Sequence, residues 1–177
     1  MAEYSPMMQH YLDTKKDYKD SILFYRLGDF YEMFFDDAIL ASRELELTLT
    51  GKECGQEERA PMCGVPFHAA ENYIARLISK GYKVTICEQM EDPKQAKGIV
   101  KREVIRVVTP GTVIESNLLD EKKNNYIMSV YKSGIYFGIA VCDVSTGDFR
   151  ATQIKETNNF SAALDEISRY SPAEIVV

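Results

Sequence analysis

Apolar and polar positions along this chain regroup every few residues, which divides it into short helices and strands. Ser5-Pro6 reads as a helix start, with serine as the cap and proline at the first helical position. Met8, Tyr11, Leu12 and Tyr18 follow near helical spacing, predicting an amphipathic helix over 6–18. Residues 22–27 read as a strand. That run breaks at Gly28-Asp29 and resumes as Phe30-Tyr31-Glu32-Met33-Phe34, the pattern of two strands joined by a tight turn. Asp36-Asp37 favour a helix N-terminus, and Ala38, Leu40, Ala41 and Leu45 continue that helix to about residue 47. Thr48-Leu49-Thr50 predicts a strand, and 51–59 a polar loop. Pro61-Met62-Cys63-Gly64-Val65-Pro66 reads as a loop or an edge strand, because proline fixes φ and removes a donor. A helix over 68–80 places Tyr73, Ile74, Leu77 and Ile78 on one face, with Gly81 as its stop. Strands follow over 82–90 and 104–108, the second stopped by Thr109-Pro110-Gly111.

A boundary comes next. Residues 113–123 are polar and charged and read as a linker between a first domain, 1–112, and a second, 124–177. The second opens with a hairpin, 126–131 and 135–143, around Lys132-Ser133-Gly134. A strand over 147–153 and a helix over 159–170 follow. Residues 173–177 begin an apolar strand with which the chain stops, leaving a sheet partly built. The expectation is an N-terminal piece of a longer protein. The fold class read from this order is α/β, with a mixed-sheet N-terminal domain flanked by helices, then part of a second α/β domain.

Composition narrows the function classes. The chain has 177 residues and is 45% hydrophobic, enough for a packed core. Its net charge of −6 argues against a protein that simply coats phosphates, so any nucleic-acid contact must come from a local patch. The cysteines, Cys54, Cys63, Cys87 and Cys142, form no Cys-x-x-Cys pair. Cys54, Cys63 and His68 match no common zinc spacing and lack a fourth soft ligand, so no metal site is expected. No apolar run approaches the ~20 residues a membrane helix needs, and nothing resembles a signal peptide. Phosphate-binding, dinucleotide, zinc-protease and esterase motifs are absent.

Four constellations remain. In an extended segment Phe30 and Glu32 share a face. They read either as a core aromatic beside a solvated carboxylate, or as an exposed wedge beside a base acceptor. Asp36-Asp37 are adjacent on a helix, which suits helix-start acidity better than an acid/base pair. Asp143, in an apolar strand, resembles the first-strand aspartate of ribonuclease-H-like nucleases, a chemistry that needs further converging carboxylates. Only Asp148 and Glu174 offer themselves, so a metal-dependent nuclease is kept as an alternative. Lys94, Lys97, Lys101, Arg102 and Arg106 form a basic cluster, read either as a solvated face or as a rim that tracks DNA phosphates.

Ordered blocks then carry a resemblance. Pro6-Met7-Met8-Gln9, the run from Phe24 to Glu32, Asp36-Asp37-Ala38, Gly64-Val65-Pro66, Glu71-Asn72-Tyr73, Cys87-Glu88-Gln89 and the run from Arg106 to Thr112 resemble the N-terminal region of the MutS family of DNA mismatch-repair proteins. The likeness continues more loosely into that family's connector domain, whose fold is RNase-H-like without its activity. The resemblance implies recognition of mispaired or unpaired bases in duplex DNA, with Phe30 as the minor-groove wedge and Glu32 as the base acceptor. It implies no enzyme in this segment, with ATP and magnesium belonging to an ATPase domain elsewhere in the family. It also implies contact with MutL through the connector, a homodimeric parent protein and a cytoplasmic location. A protein-interaction module docking through the Phe30 face is the other alternative.

Overall fold

The computed structural model describes residues 3–91, 98–114, 119, 123–155 and 160–177. They fall into two compact units, Met1–Val108 and Thr109–Val177.

The first unit is a six-stranded mixed sheet in the order β3-β4-β2-β1-β5-β6. Its strands are β1 (Ile22–Leu27), β2 (Phe30–Phe34), β3 (Thr50–Lys52), β4 (Ala60–Pro66), β5 (Val84–Gln89) and β6 (Arg102–Val108). Only β1 and β5 pair in parallel. Helix α1 (Pro6–Asp17) starts as expected: the Ser5 hydroxyl accepts from the Met8 amide at 3.4 Å, and Pro6 needs no partner for an amide it lacks. Met8 and Tyr11 of α1 pack on one sheet face, against Leu23, Tyr25, Phe34 and Cys87. The other face carries α2 (Phe35–Leu45) and α3 (Ala70–Ser79), which rest on β2, β4 and β5. Gly81, at φ +86°, ends the turn after α3 in a conformation that glycine adopts without cost. Buried Asp37 ties the layers together. Its carboxylate pairs with Lys15 at 2.9 Å and accepts from the Tyr11 hydroxyl at 3.2 Å and the Leu23 amide at 3.0 Å.

Several expectations shift. Residues 61–66, read as loop or edge, fall in β4 (Ala60–Pro66), the second strand of the sheet, paired to β2 over 62–66 and to β3 over 60–62. The prolines are tolerated because they fall at the strand's second and last positions. The strand expected at 48–50 lies instead at Thr50–Lys52, inside the expected polar loop, because it pairs with β4 and not by its own apolarity. The helix expected from 68 opens with a 3-10 turn, Phe67–Ala69.

The second unit is a four-stranded sheet, β10-β7-β8-β9, with α4 (Ser161–Tyr170) on one face. Here β7 (Tyr126–Ser133), β8 (Tyr136–Asp143) and β9 (Asp148–Lys155) form an antiparallel meander, and β10 (Glu174–Val176) pairs in parallel with β7. Its core gathers Met128, Phe137, Ile139, Val141 and Ala163. The division at residue 108 lies four residues ahead of the boundary expected at 112. Thr109 and Gly111 belong with the second unit because both donate to the Glu174 carboxylate, at 2.5 and 3.2 Å.

Candidate nucleic-acid interface

Phe30 and Glu32 are the first and third residues of β2, so the pleat directs them to one face. Leu27 lies opposite Phe30 and Tyr25 opposite Glu32, which identifies that face as the one α1 covers. The cover is partial. Phe34, at the far end of the strand, is sealed beneath Tyr11, their rings edge-on at 4.9 Å. Phe30 is 46% exposed. The strand therefore emerges from under the helix and presents its first aromatic to solvent.

Glu32 is not a simple solvated carboxylate. Its side chain is 14% exposed and its Oε2 lies 2.5 Å from Nζ of Lys52, on β3. Gly64, opposite Glu32 on β4, leaves room for this arrangement: a Cβ there would stand 3.2 Å from the Tyr31 carbonyl oxygen and 3.4 Å from Glu32 Cγ. Lys52 escaped the sequence reading. It sits in a polar stretch, and only the two-strand detour through β4 brings it to Glu32.

On the opposite face, Tyr31 is buried and donates to Glu88 at 2.6 Å. Burial, helped by that carboxylate, pushes its hydroxyl up to about 12. The Arg26 guanidinium pairs with the same Glu88 at 3.3 Å and stacks on the half-exposed Phe67 ring, 3.8 Å from its centre.

Of the basic cluster, the described members Lys101, Arg102 and Arg106 do not share one face. Lys94 and Lys97 lie outside the described residues. Lys101 is exposed and pairs with Glu103 at 2.6 Å. Arg102 is 8% exposed; it donates to the carbonyls of Arg26 and Val100, at 2.8 and 2.9 Å, and lies over the Tyr25 ring. A β-bulge then inserts Ile105 between Val104, opposite Cys87, and Arg106, opposite Ile86. Arg102 and Arg106 consequently face opposite sides of the sheet, and Arg106 lies on the side away from Phe30.

The remaining candidates have structural employment. Asp143, 1% exposed, accepts from Asn124 Nδ2, the amides of Asn125, Ser145 and Thr146, and the Ser145 hydroxyl, at 2.6–3.3 Å. Burial pushes its carboxyl up, but these donors outweigh burial and hold it below the ordinary range. A carboxylate this fully engaged leaves little for a metal, and among the described residues no three His, Cys, Asp or Glu side chains group as ligands. Asp37 is the buried tie described above, while Asp36 is exposed. Among the described residues no helix is long and apolar enough to cross a membrane.

Comparisons with known proteins agree with this architecture. Residues 5–117 match the family model for MutS domain I, and residues 125–177 the model for MutS domain II. The DNA mismatch repair protein MutS of Ruminiclostridium cellulolyticum is 68% identical over 177 residues, covering 100% of this chain and 20% of that protein. The protein of the same name from Acetivibrio thermocellus matches with the same identity and coverage. That of Clostridioides difficile is 58% identical over 177 residues, which are 18% of its length. The chain thus spans about a fifth of the length of these curated relatives. None of these matches supports a nuclease or a module that docks proteins through the Phe30 face.

Proposed function

The chain belongs to the MutS family, and from that premise we propose that it binds mispaired or unpaired bases in duplex DNA, using Phe30 as a wedge and Glu32 as the hydrogen-bond acceptor. One observation carries the assignment: a phenylalanine 46% exposed beside a carboxylate, at the end of β2 that emerges from under α1. Wedging a ring between base steps costs a few kcal/mol of unstacking, and a mispair lowers that cost. Selection by deformability suits a site that must find an error in any sequence, since the minor groove shows few sequence-specific groups. A carboxylate close to phosphates is repelled unless a base donor faces it, so Glu32 penalises normal duplex as well as rewarding a mispair.

In this reading the segment binds and does not catalyse; ATP and magnesium belong to the family's ATPase domain. Lys101 and Arg106 supply at most a peripheral phosphate contact, joined by Lys94 and Lys97. Arg102 serves the fold. Contact with MutL is assigned to the second unit, homodimerisation to the whole parent protein, and the location to the bacterial cytoplasm. NMR titration of the chain at low salt, with duplexes differing by one G·T pair, tests the assignment. Shifts at Phe30 and Glu32 with the mispaired duplex alone are expected. Equal shifts with both duplexes, or none at these residues, would refute it.

A further inference from the structure

The turn that presents Phe30 has a second layer of support. Gly28 and Asp29 form a two-residue hairpin turn, with Leu27 opposite Phe30. Gly28 takes φ +58° at the first turn position, the backbone sign of a type II′ turn. Such a loop, exposed at a sheet end, ordinarily leaves its polar groups to water. Here they are taken up from both sides of the sheet by the end of β5. On the Phe30 face, the Gln89 Oε1 accepts from the Gly28 amide at 3.0 Å and from Arg102 at 3.2 Å. Both neighbours are donors, which settles that the amide oxygen, not its nitrogen, faces them. Arg102 in turn donates to the Arg26 carbonyl at 2.8 Å. On the opposite face, Glu88 gathers the Arg26 guanidinium and the Tyr31 hydroxyl, and Arg26 Nε reaches the Gly28 carbonyl at 2.5 Å. The Phe67 amide donates to the Asp29 carbonyl at 2.9 Å.

We propose that Gln89 and Glu88 are positioning residues for mismatch recognition: a bracket at the end of β5 that fixes the hairpin turn, so that Phe30 is aimed before DNA arrives. The proposal rests on the mismatch-reading role assigned to Phe30. Its physical basis is preorganisation. A wedge that must be ordered on binding loses part of its interaction energy on every duplex, and a loose ring can relax away from the step it should unstack. A fixed ring makes the deformability of the DNA decide the outcome.

Gln89→Met keeps the side chain's length and removes the acceptor, whereas Gln89→Glu keeps an acceptor. Without DNA, the Gly28 amide should exchange with solvent about fivefold faster in Gln89→Met, as losing a hydrogen bond of about 1 kcal/mol implies. Gln89→Glu should restore the slow exchange. With DNA, the ratio of mispaired to matched affinity should fall in Gln89→Met, with matched affinity unchanged, and recover in Gln89→Glu. In the unsubstituted chain the Asp29 and Phe30 amides should show order parameters near 0.85, a readout that survives any variant failing to fold. Unchanged Gly28 exchange, or order parameters below about 0.6, would overturn the bracket. Faster exchange with an unchanged affinity ratio would overturn its role in recognition. Phe30→Ala on the same duplexes separates the two ideas: if it leaves the ratio untouched, the recognition role itself fails, and Gly28 exchange alone judges the bracket.

Discussion

Replacing Phe30 by alanine removes a ring that is nearly half exposed, so the fold should survive while mismatch preference is lost. Paired binding and melting curves check this: a large fall in melting temperature would mean that the ring serves the core. Glu32 behaves differently because Lys52 already neutralises part of its charge. Glu32→Gln should weaken mismatch preference while sparing or raising affinity for matched duplex. Lys52→Met should do the reverse to matched duplex, since it leaves the carboxylate's repulsion of phosphates uncompensated. The double variant should recover the Lys52→Met loss. A double-mutant cycle measures the coupling, and strict additivity would mean that the pair does not act as a unit.

At the scale of elements, β1 and β2 hold tyrosines that should not ionise while folded. Burial pushes Tyr25 to about 12, and burial with the Glu88 contact pushes Tyr31 to about 12, against an ordinary value of 10.0. Below the ordinary value both folded and unfolded chains keep these protons, so stability does not change with pH on their account. As pH rises from 10.0 toward about 12, the unfolded chain loses them first and the fold weakens. Melting temperature should therefore decline through that window, and Tyr31→Phe should make the decline shallower while lowering stability at neutral pH through the lost Glu88 bond. The same elements show what was legible. The Ser5-Pro6 start, the Gly28-Asp29 turn and the Gly81 stop were readable because each depends on backbone preferences of adjacent residues. The place of β4 inside the sheet, the burial of Arg102 and the Glu32–Lys52 pair were not, because each is created by strands brought together from 12 to 76 residues apart. That Arg102 and Arg106 face opposite sides was not legible either, because it depends on a bulge that the sequence does not show.

For the whole molecule, net charge is −6, and among the described residues Arg102 is buried and Arg106 lies on the side away from Phe30. Binding should be weak, nearer the nonspecific range of ~10⁻⁴–10⁻⁶ M, and shallow in its salt dependence, with a log–log slope of about −2 for two phosphate contacts. Anisotropy titrations from 50 to 200 mM salt check the slope, and one several times steeper would mean a phosphate-tracking rim. Thr109 and Gly111 are held by Glu174, 63 to 65 residues on, a contact that no local pattern in the sequence announces. The bulge at Ile105 has a bearing on how one molecule meets another. Strand β6 is a sheet edge carrying exposed Ile105 and Val107, 55% and 41% accessible, which as a regular strand would template pairing with a second copy. The extra residue interrupts the ladder and twists that edge. Deleting Ile105 keeps every other residue on its own face but straightens the edge, and light scattering should then record concentration-dependent clumping, so that one apparently surplus residue guards the edge against self-pairing.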